Sequence, residues 1–208
     1  MEFNRRLLNL FSIMFLVLPA LACRTVTNII LPNPSSPVPA GSGGDVGLSM
    51  DWLVTADELN SFSADIGIVE WKSIQDTPGQ NRICRTFQGA SWSVSPNEGM
   101  NCIFKAASGS SFESVIKSMF TDGQLVAGEQ PVNSDLNMDG EFAVYAGNFP
   151  NGHGVYDLIL YKDSLVYWSS VTLGMPAGET PAVLYESAAG VVDAFLENVI
   201  NINLAKSK

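Results

Sequence analysis

The chain has 208 residues, and its 21 acidic side chains outnumber its 11 Lys and Arg side chains, which gives a formal net charge of −10. A surface this acidic repels phosphate backbones and anionic lipid headgroups, so we expect no nucleic-acid partner and no membrane attachment through surface charge. The length fits one domain once two N-terminal segments are set aside.

The first of these segments, residues 1–22, has the pattern of a signal peptide. Arg5 and Arg6 form a short positive region, residues 7–18 are mostly apolar, and Ala20-Leu21-Ala22 supplies small residues before a cleavage point. The apolar run is shorter than the roughly 20 residues that a membrane-spanning helix needs. We therefore predict that this segment is removed on export, and that it is not a permanent anchor.

The second segment, residues 23–46, begins with Cys23 and is rich in Pro, Ser and Gly. Few of its side chains are suited to a core, which predicts a flexible tether. A cysteine directly after the cleavage point is either the acylated first residue of the mature protein or the plain N-terminus of a soluble secreted one. The tether favours the acylated form, because a soluble protein has less need of a stalk.

Residues 47–208 are predicted to form a single α+β domain. Thr55 and Glu58 form a capping box for a short helix, and Ser110 and Glu113 form a second one for a helix that ends at Gly123. A last helix starts at Pro181 and ends near Ile200. Strands are predicted over residues 66–74, 82–87, 100–106, 142–146, 155–161 and 165–171. These elements predict a mostly antiparallel sheet of five or six strands, with the helices packed on one face.

The remaining two cysteines, Cys84 and Cys102, form an even pair in a chain predicted to be exported. This is the expected setting for one disulfide, and the predicted strands place the pair on neighbouring strands. Such a bond contributes about 3 kcal/mol in the chain-entropy model.

One motif points to a metal ion. Asp135, Asn137 and Asp139, followed by Gly140, match the first half of a calcium-binding loop, in which oxygen ligands alternate before a tight turn. The twelfth position holds Ala146, where such loops have a bidentate Glu. A polar turn rich in Asp and Asn is the other interpretation. Calcium is therefore a weak cofactor candidate, and we expect no other cofactor.

Two aromatic side chains are candidates for ligand binding. His153 is the only histidine and lies between two glycines, in a stretch predicted to be an exposed loop. Trp92 lies in the predicted loop between the two paired cysteines. No Gly-x-Ser-x-Gly motif accompanies His153, so we do not expect a catalytic triad or any other catalytic residue. Carboxylate pairs of glycosidases are set by space and not by sequence, so a carboxylate-dependent hydrolase stays open.

The sequence Ala-Leu-Ala-Cys followed by the tether resembles the lipobox of bacterial lipoproteins. The whole pattern is similar to small bacterial surface lipoproteins with sensor-type extracytoplasmic α+β domains, including extracellular domains of some actinobacterial kinases. The resemblance implies acylation at Cys23 and a position on the cell membrane or the outer membrane, facing away from the cytoplasm.

The resulting hypothesis is a non-enzymatic, lipid-anchored binding or accessory domain for an unknown small-molecule or protein ligand. The alternatives are a secreted carboxylate-dependent hydrolase and a calcium-stabilised structural module.

Overall fold

The computed structural model describes residues 47–91, 97–125, 128–149, 153–174 and 181–208. All of them belong to one compact unit. Within these ranges the chain forms one antiparallel sheet and three α-helices, which confirms the α+β class. In the same ranges no helix combines the length and the apolar character needed to cross a lipid bilayer.

The sheet has seven strands in the order β1-β2-β3-β7-β6-β5-β4, and every neighbouring pair is antiparallel. The strands are β1 (Ile68–Thr77), β2 (Arg82–Ser91), β3 (Asn97–Lys105), β4 (Gln130–Val132), β5 (Glu141–Phe149), β6 (His153–Lys162) and β7 (Leu165–Gly174). The predicted count of five or six is wrong because β4 lies in a stretch predicted to be loop. This strand has only three residues and contains Pro131, so it carries no alternating pattern.

The β6–β7 hairpin lies inside the sheet, as its apolar residues on both faces indicated. Asp163 and Ser164 form its two-residue turn with φ values of 51° and 64°. Positive φ at both central positions is the geometry that matches the right-handed twist of the flanking strands. β7 pairs with β3 on its other side, so the hairpin joins the N-terminal and C-terminal halves of the sheet.

The helices are α1 (Ala56–Asn60), α2 (Phe112–Thr121) and α3 (Pro181–Lys206). The capping box of α1 is confirmed, since the Thr55 hydroxyl accepts from the Glu58 N–H and the Glu58 carboxylate accepts from the Thr55 N–H. The predicted cap of α2 at Ser110 is wrong by one residue. Ser111 is the cap, and its hydroxyl accepts a hydrogen bond from the Ser114 N–H.

The helices lie on both faces of the sheet, so the prediction of one covered face is wrong. α1 and α3 pack on the face that carries Ile83, Ile103 and Tyr167, which we call the first face. α2 packs on the second face, which carries Cys84, Cys102 and Trp168. Adjacent strand residues point to opposite faces, so both sets of side chains come from the same strands. The sequence showed that α2 is amphipathic but not which face of the sheet it covers.

The segment before α1 crosses the first face and is fixed there by side chains. Val54 is fully buried, and its backbone N–H donates to Asn101 Oδ1 of β3 at 3.3 Å and to Asn203 Oδ1 of α3 at 3.0 Å. A buried backbone donor without a partner costs about 1–3 kcal/mol. One amide therefore connects the start of the domain to its central sheet and to its last helix.

The carbonyl groups of the same segment are also occupied. Arg85 Nη1 donates to the Val54 carbonyl at 3.1 Å, and Lys206 Nζ donates to the Leu53 carbonyl at 3.1 Å. Lys206 also forms an ion pair with Glu58 at 2.6 Å. Burial raises the pKa of Glu58, but hydrogen bonds from Lys206 and Thr55 outweigh it, so that the pKa lies below its ordinary value.

We expect Asn101→Ala and Asn203→Ala each to lower the free energy of unfolding by about 1 kcal/mol, because the other asparagine still accepts from Val54. The double variant should lose about 1 kcal/mol more than the sum, since only then is the amide unpaired. Urea denaturation of all four proteins measures this coupling. Asn201→Ala, at an exposed position of the same helix, is the control and should change stability by less than about 0.5 kcal/mol. Strict additivity would contradict the shared hydrogen bond.

Candidate functional site

A group of buried polar side chains lies on the second face of the sheet, beside α2. Asp157 is the middle residue of β6 and is only 1% exposed. It lies opposite Tyr145 on β5 and Ser170 on β7. The ring of Tyr145 packs edge-on against Phe120 of α2, with ring centroids 5.6 Å apart, so the helix borders the group. We call Asp157, Glu129, Tyr145, Trp168 and Ser170 the acid cluster.

The Asp157 carboxylate accepts its short hydrogen bond at Oδ1, whereas Oδ2 is buried without a hydrogen-bond partner of good geometry among the described residues. Trp168 Nε1 donates to Asp157 Oδ1 at 2.6 Å, and Ser170 and Glu129 also form side-chain hydrogen bonds with it. Burial raises the pKa of Asp157 to about 6, although these three hydrogen bonds favour the ionised form. Removal from water is thus the dominant effect on this group.

Glu129 can approach Asp157 because the residue beside it on β5 is Gly147, which has no side chain. Glu129 is 4% exposed and lies just before β4, against Gly147 of β5. A Cβ atom at Gly147 would overlap the Glu129 side chain, so this close approach requires glycine. The side-chain hydrogen bond between Glu129 and Asp157 favours the ionised form of Asp157 and so partly opposes the effect of burial on its pKa.

His153 lies on the same face of β6 as Asp157, because it is four positions earlier in the strand and side chains alternate between faces. The prediction of an exposed loop is wrong here, since His153 is the first residue of β6 and is 8% exposed. Both of its ring nitrogens are buried without a hydrogen-bond partner among the described residues. A buried polar group without a partner is uncommon and indicates a position that water or a ligand completes. Trp92, the other predicted ligand-binding residue, lies outside the described residues.

The disulfide between Cys84 and Cys102 is confirmed, and it also lies on the second face. The two residues face each other directly across β2 and β3, with their Cα atoms 4.1 Å apart. Arg82 lies beside them, and its Nε donates to Cys84 Sγ at 3.1 Å. Cys23 falls outside the described residues, so its acylation stays a prediction.

The three calcium candidates are exposed and share one side of an extended segment. Asp135, Asn137 and Asp139 alternate with Leu136 and Met138, which pack against the core of the first face.

Within that segment, Asp139 forms an ion pair with Lys162, whose hydrogen bond lowers the pKa of the carboxyl group. Gly140 has a φ of 145°, and a Cβ there would lie 2.8 Å from Leu160 Cδ1. Glycine is therefore needed at this position for the close packing against β6, whether or not a metal ion binds. Across the described ranges, no three His, Cys, Asp or Glu side chains are grouped to hold a metal ion.

Sequence reasoning missed both carboxylates of the acid cluster. A usable signal existed for Asp157, because a lone acid in the apolar run from Val155 to Leu160 must be buried with partners. No such signal existed for Glu129, since its position depends on β4, which the sequence pattern does not reveal.

No protein-family model matches this chain, and no curated protein sequence is significantly similar to it.

The raised pKa of Asp157 predicts a pH dependence of stability. Between about pH 4 and pH 6 the folded protein keeps a proton on Asp157 that the unfolded chain, with a pKa near 3.8, has released. The free energy of unfolding should therefore fall as the pH rises through this window.

Urea midpoints measured from pH 4 to pH 7 test this slope. Asp157→Asn cannot ionise and should flatten the curve over this window. Asp163→Asn, at an exposed position where Asn also tolerates positive φ, should retain the slope of the parent protein. A parent curve that rises steadily between pH 4 and pH 6 would exclude the assignment.

Proposed function

We propose that the protein is a lipid-anchored binding domain that works outside the cytoplasm and is not an enzyme. The observation that supports the location is the disulfide between Cys84 and Cys102, which is buried on the second face. Disulfides persist in oxidising compartments and are rare in the reducing cytoplasm. A location outside the cytoplasm in turn agrees with the export signal at residues 1–22.

Attachment to a membrane through Cys23 rests on the sequence. Cys23 is the one cysteine of the three that is not in the disulfide, and it stands directly after the predicted cleavage point, as the first residue of the tether of residues 23–46. The net charge of −10 would repel an anionic membrane surface, so acyl chains are the expected source of attachment. The membrane is the cell membrane or the outer membrane, and a soluble secreted form is the alternative.

The acid cluster favours binding over hydrolysis. Retaining glycosidases hold their two carboxyl groups about 5–5.5 Å apart and inverting ones about 6.5–9.5 Å apart, with room for substrate or water between them. Asp157 and Glu129 are instead in direct hydrogen-bond contact, and both are at least 96% buried. This geometry is typical of a buried polar pair that stabilises the sheet. It leaves no room for a substrate between a catalytic acid and a catalytic base.

The ligand site that we favour is the end of the second face where His153 lies. Its two ring nitrogens have no partner among the described residues, and they offer one donor and one acceptor to a ligand when the ring is neutral. A small molecule or a protein segment with complementary polar groups fits this chemistry. The calcium-stabilised module has less support, since Lys162 already neutralises the Asp139 carboxylate.

Acylation at Cys23 predicts how the mature protein partitions. The full chain, produced in a bacterium that processes lipoproteins, should enter the detergent-rich phase of Triton X-114, and its N-terminal peptide should begin at Cys23 and carry the mass of acyl chains. Cys23→Ser should move the protein to the aqueous phase, whereas Ser35→Ala in the same tether should not. An unmodified Cys23 N-terminus in the aqueous phase would indicate the soluble secreted form.

The hydrolase alternative predicts an activity that depends on the acid cluster. We expect the parent protein to release no more 4-nitrophenol from a panel of 4-nitrophenyl glycosides than Asp157→Asn does, from pH 4 to pH 7. Asp163→Asn serves as the control for an acid removed elsewhere. Turnover by the parent and by Asp163→Asn that Asp157→Asn loses by about 100-fold or more would replace the binding proposal with a hydrolase.

A further inference from the structure

The disulfide has a cationic neighbour that touches both of its sulfur atoms. Arg82 Nε donates to Cys84 Sγ at 3.1 Å, and Arg82 Nη2 is 3.8 Å from Cys102 Sγ. The guanidinium carbon also lies 5.9 Å from the ring centre of Phe104 and 5.7 Å from that of Trp168. The charge of Arg82 is therefore held against the disulfide by two aromatic rings.

This charge is poorly compensated while the disulfide is intact. Burial lowers the pKa of Arg82, and the charge of Asp122 only partly opposes this effect. Among the described residues Arg82 takes part in no ion pair, and its hydrogen bonds both end on sulfur. A disulfide sulfur is a weak, uncharged acceptor, so it replaces little of the hydration that the guanidinium loses.

Reduction would supply the missing counter-charge. A thiolate at Cys84 would lie within hydrogen-bond distance of Arg82 Nε, and a neighbouring Arg stabilises a thiolate relative to its thiol. An interaction that is stronger in the reduced form raises the reduction potential of the couple. Arg82 thus favours the reduced state relative to a neutral residue at the same position.

We propose that Cys84 and Cys102 form a reducible pair, a site of thiol–disulfide exchange with an external dithiol that Arg82 tunes towards the reduced form. The expected partner is a dithiol of the Cys-x-x-Cys type, and dithiothreitol is the small-molecule equivalent. The proposal does not depend on acylation or on a ligand at His153. It concerns the same disulfide that supports the location outside the cytoplasm, but failure of the redox test would leave the disulfide, and with it that argument, in place.

The exchange proceeds in two steps. A thiolate of the dithiol attacks Cys84 Sγ, because Cys84 is the less buried residue of the pair, at 6% exposed against 0% for Cys102. The bond between the two cysteines breaks, and its electron pair leaves on Cys102 Sγ as a thiolate, next to Arg82 Nη2.

The second thiol of the reagent then attacks its own sulfur in the mixed disulfide and releases Cys84. The reagent departs as an intramolecular disulfide, having transferred two electrons. Its two protons pass through solvent to whichever sulfur atoms of the protein are not held as thiolates.

The experiment compares Arg82→Gln with the parent protein at equilibrium in mixtures of reduced and oxidised dithiothreitol. Acid-quenched samples are alkylated, and the oxidised fraction is read by mass spectrometry. We expect Arg82→Gln to require about tenfold more of the reduced reagent, relative to the oxidised one, for half reduction. Lys72→Gln removes an equal charge from an exposed position and should stay within about twofold of the parent.

Arg82→Lys separates charge from packing, and circular dichroism verifies that each variant is folded. Because Lys retains the positive charge, this variant should fall between the parent and Arg82→Gln. In the reduced parent, alkylation by iodoacetamide should follow a lower apparent thiol pKa than in Arg82→Gln. Equal midpoints for the parent and Arg82→Gln, or equal shifts for the Lys and Gln variants, would overturn the proposal and leave a purely structural disulfide beside a cation–π contact.

Discussion

The fold depends on the need to satisfy one buried backbone amide. The Val54 N–H lies in the core of the first face, where only side chains can accept from it, and Asn101 and Asn203 both do so. The segment before α1 crosses the sheet face and does not pair with a strand. Its buried backbone N–H and C=O groups must therefore bond to side chains. The two asparagines therefore fix the position of this segment relative to β3 and to the C-terminal part of α3.

The two faces of the sheet solve different physical problems. The first face is closed by apolar and aromatic packing, in which Trp71 stacks on Phe195 of α3 with ring centroids 6.1 Å apart. The second face holds most of the chemistry that the described residues offer, namely the disulfide, Arg82, Asp157 and His153. Burying a charge or a polar group there costs free energy, because α2 and the sheet exclude water. This desolvation raises the pKa of Asp157. It also makes the environment of Arg82 sensitive to whether the adjacent sulfurs are a disulfide or a thiolate.

Local patterns were sufficient where the structure itself is local. The Thr55–Glu58 capping box spans three residues, and its hydrogen bonds form as the spacing predicts. The amphipathic α2 was likewise visible as periodicity, and the β6–β7 hairpin as two runs of apolar and β-branched residues around a short turn. The cap of α2 was placed one residue early because Ser110 and Ser111 are both suitable caps, and local chemistry does not rank them. The sequence did not predict β4, because a strand of three residues is too short to show an alternating pattern.

By itself the sequence determined the α+β class, the pairing of Cys84 with Cys102 and most of the element positions, since these follow from composition, cysteine number and short-range spacing. Only the tertiary structure decided that helices cover both faces, that Glu129 meets Asp157, and that Arg82 lies on the disulfide and between two rings. Partners such as Val54 and Asn203 are 149 residues apart in the chain. Contacts over that distance depend on which face each strand residue presents and on which helix covers it, and no periodicity along the chain records either.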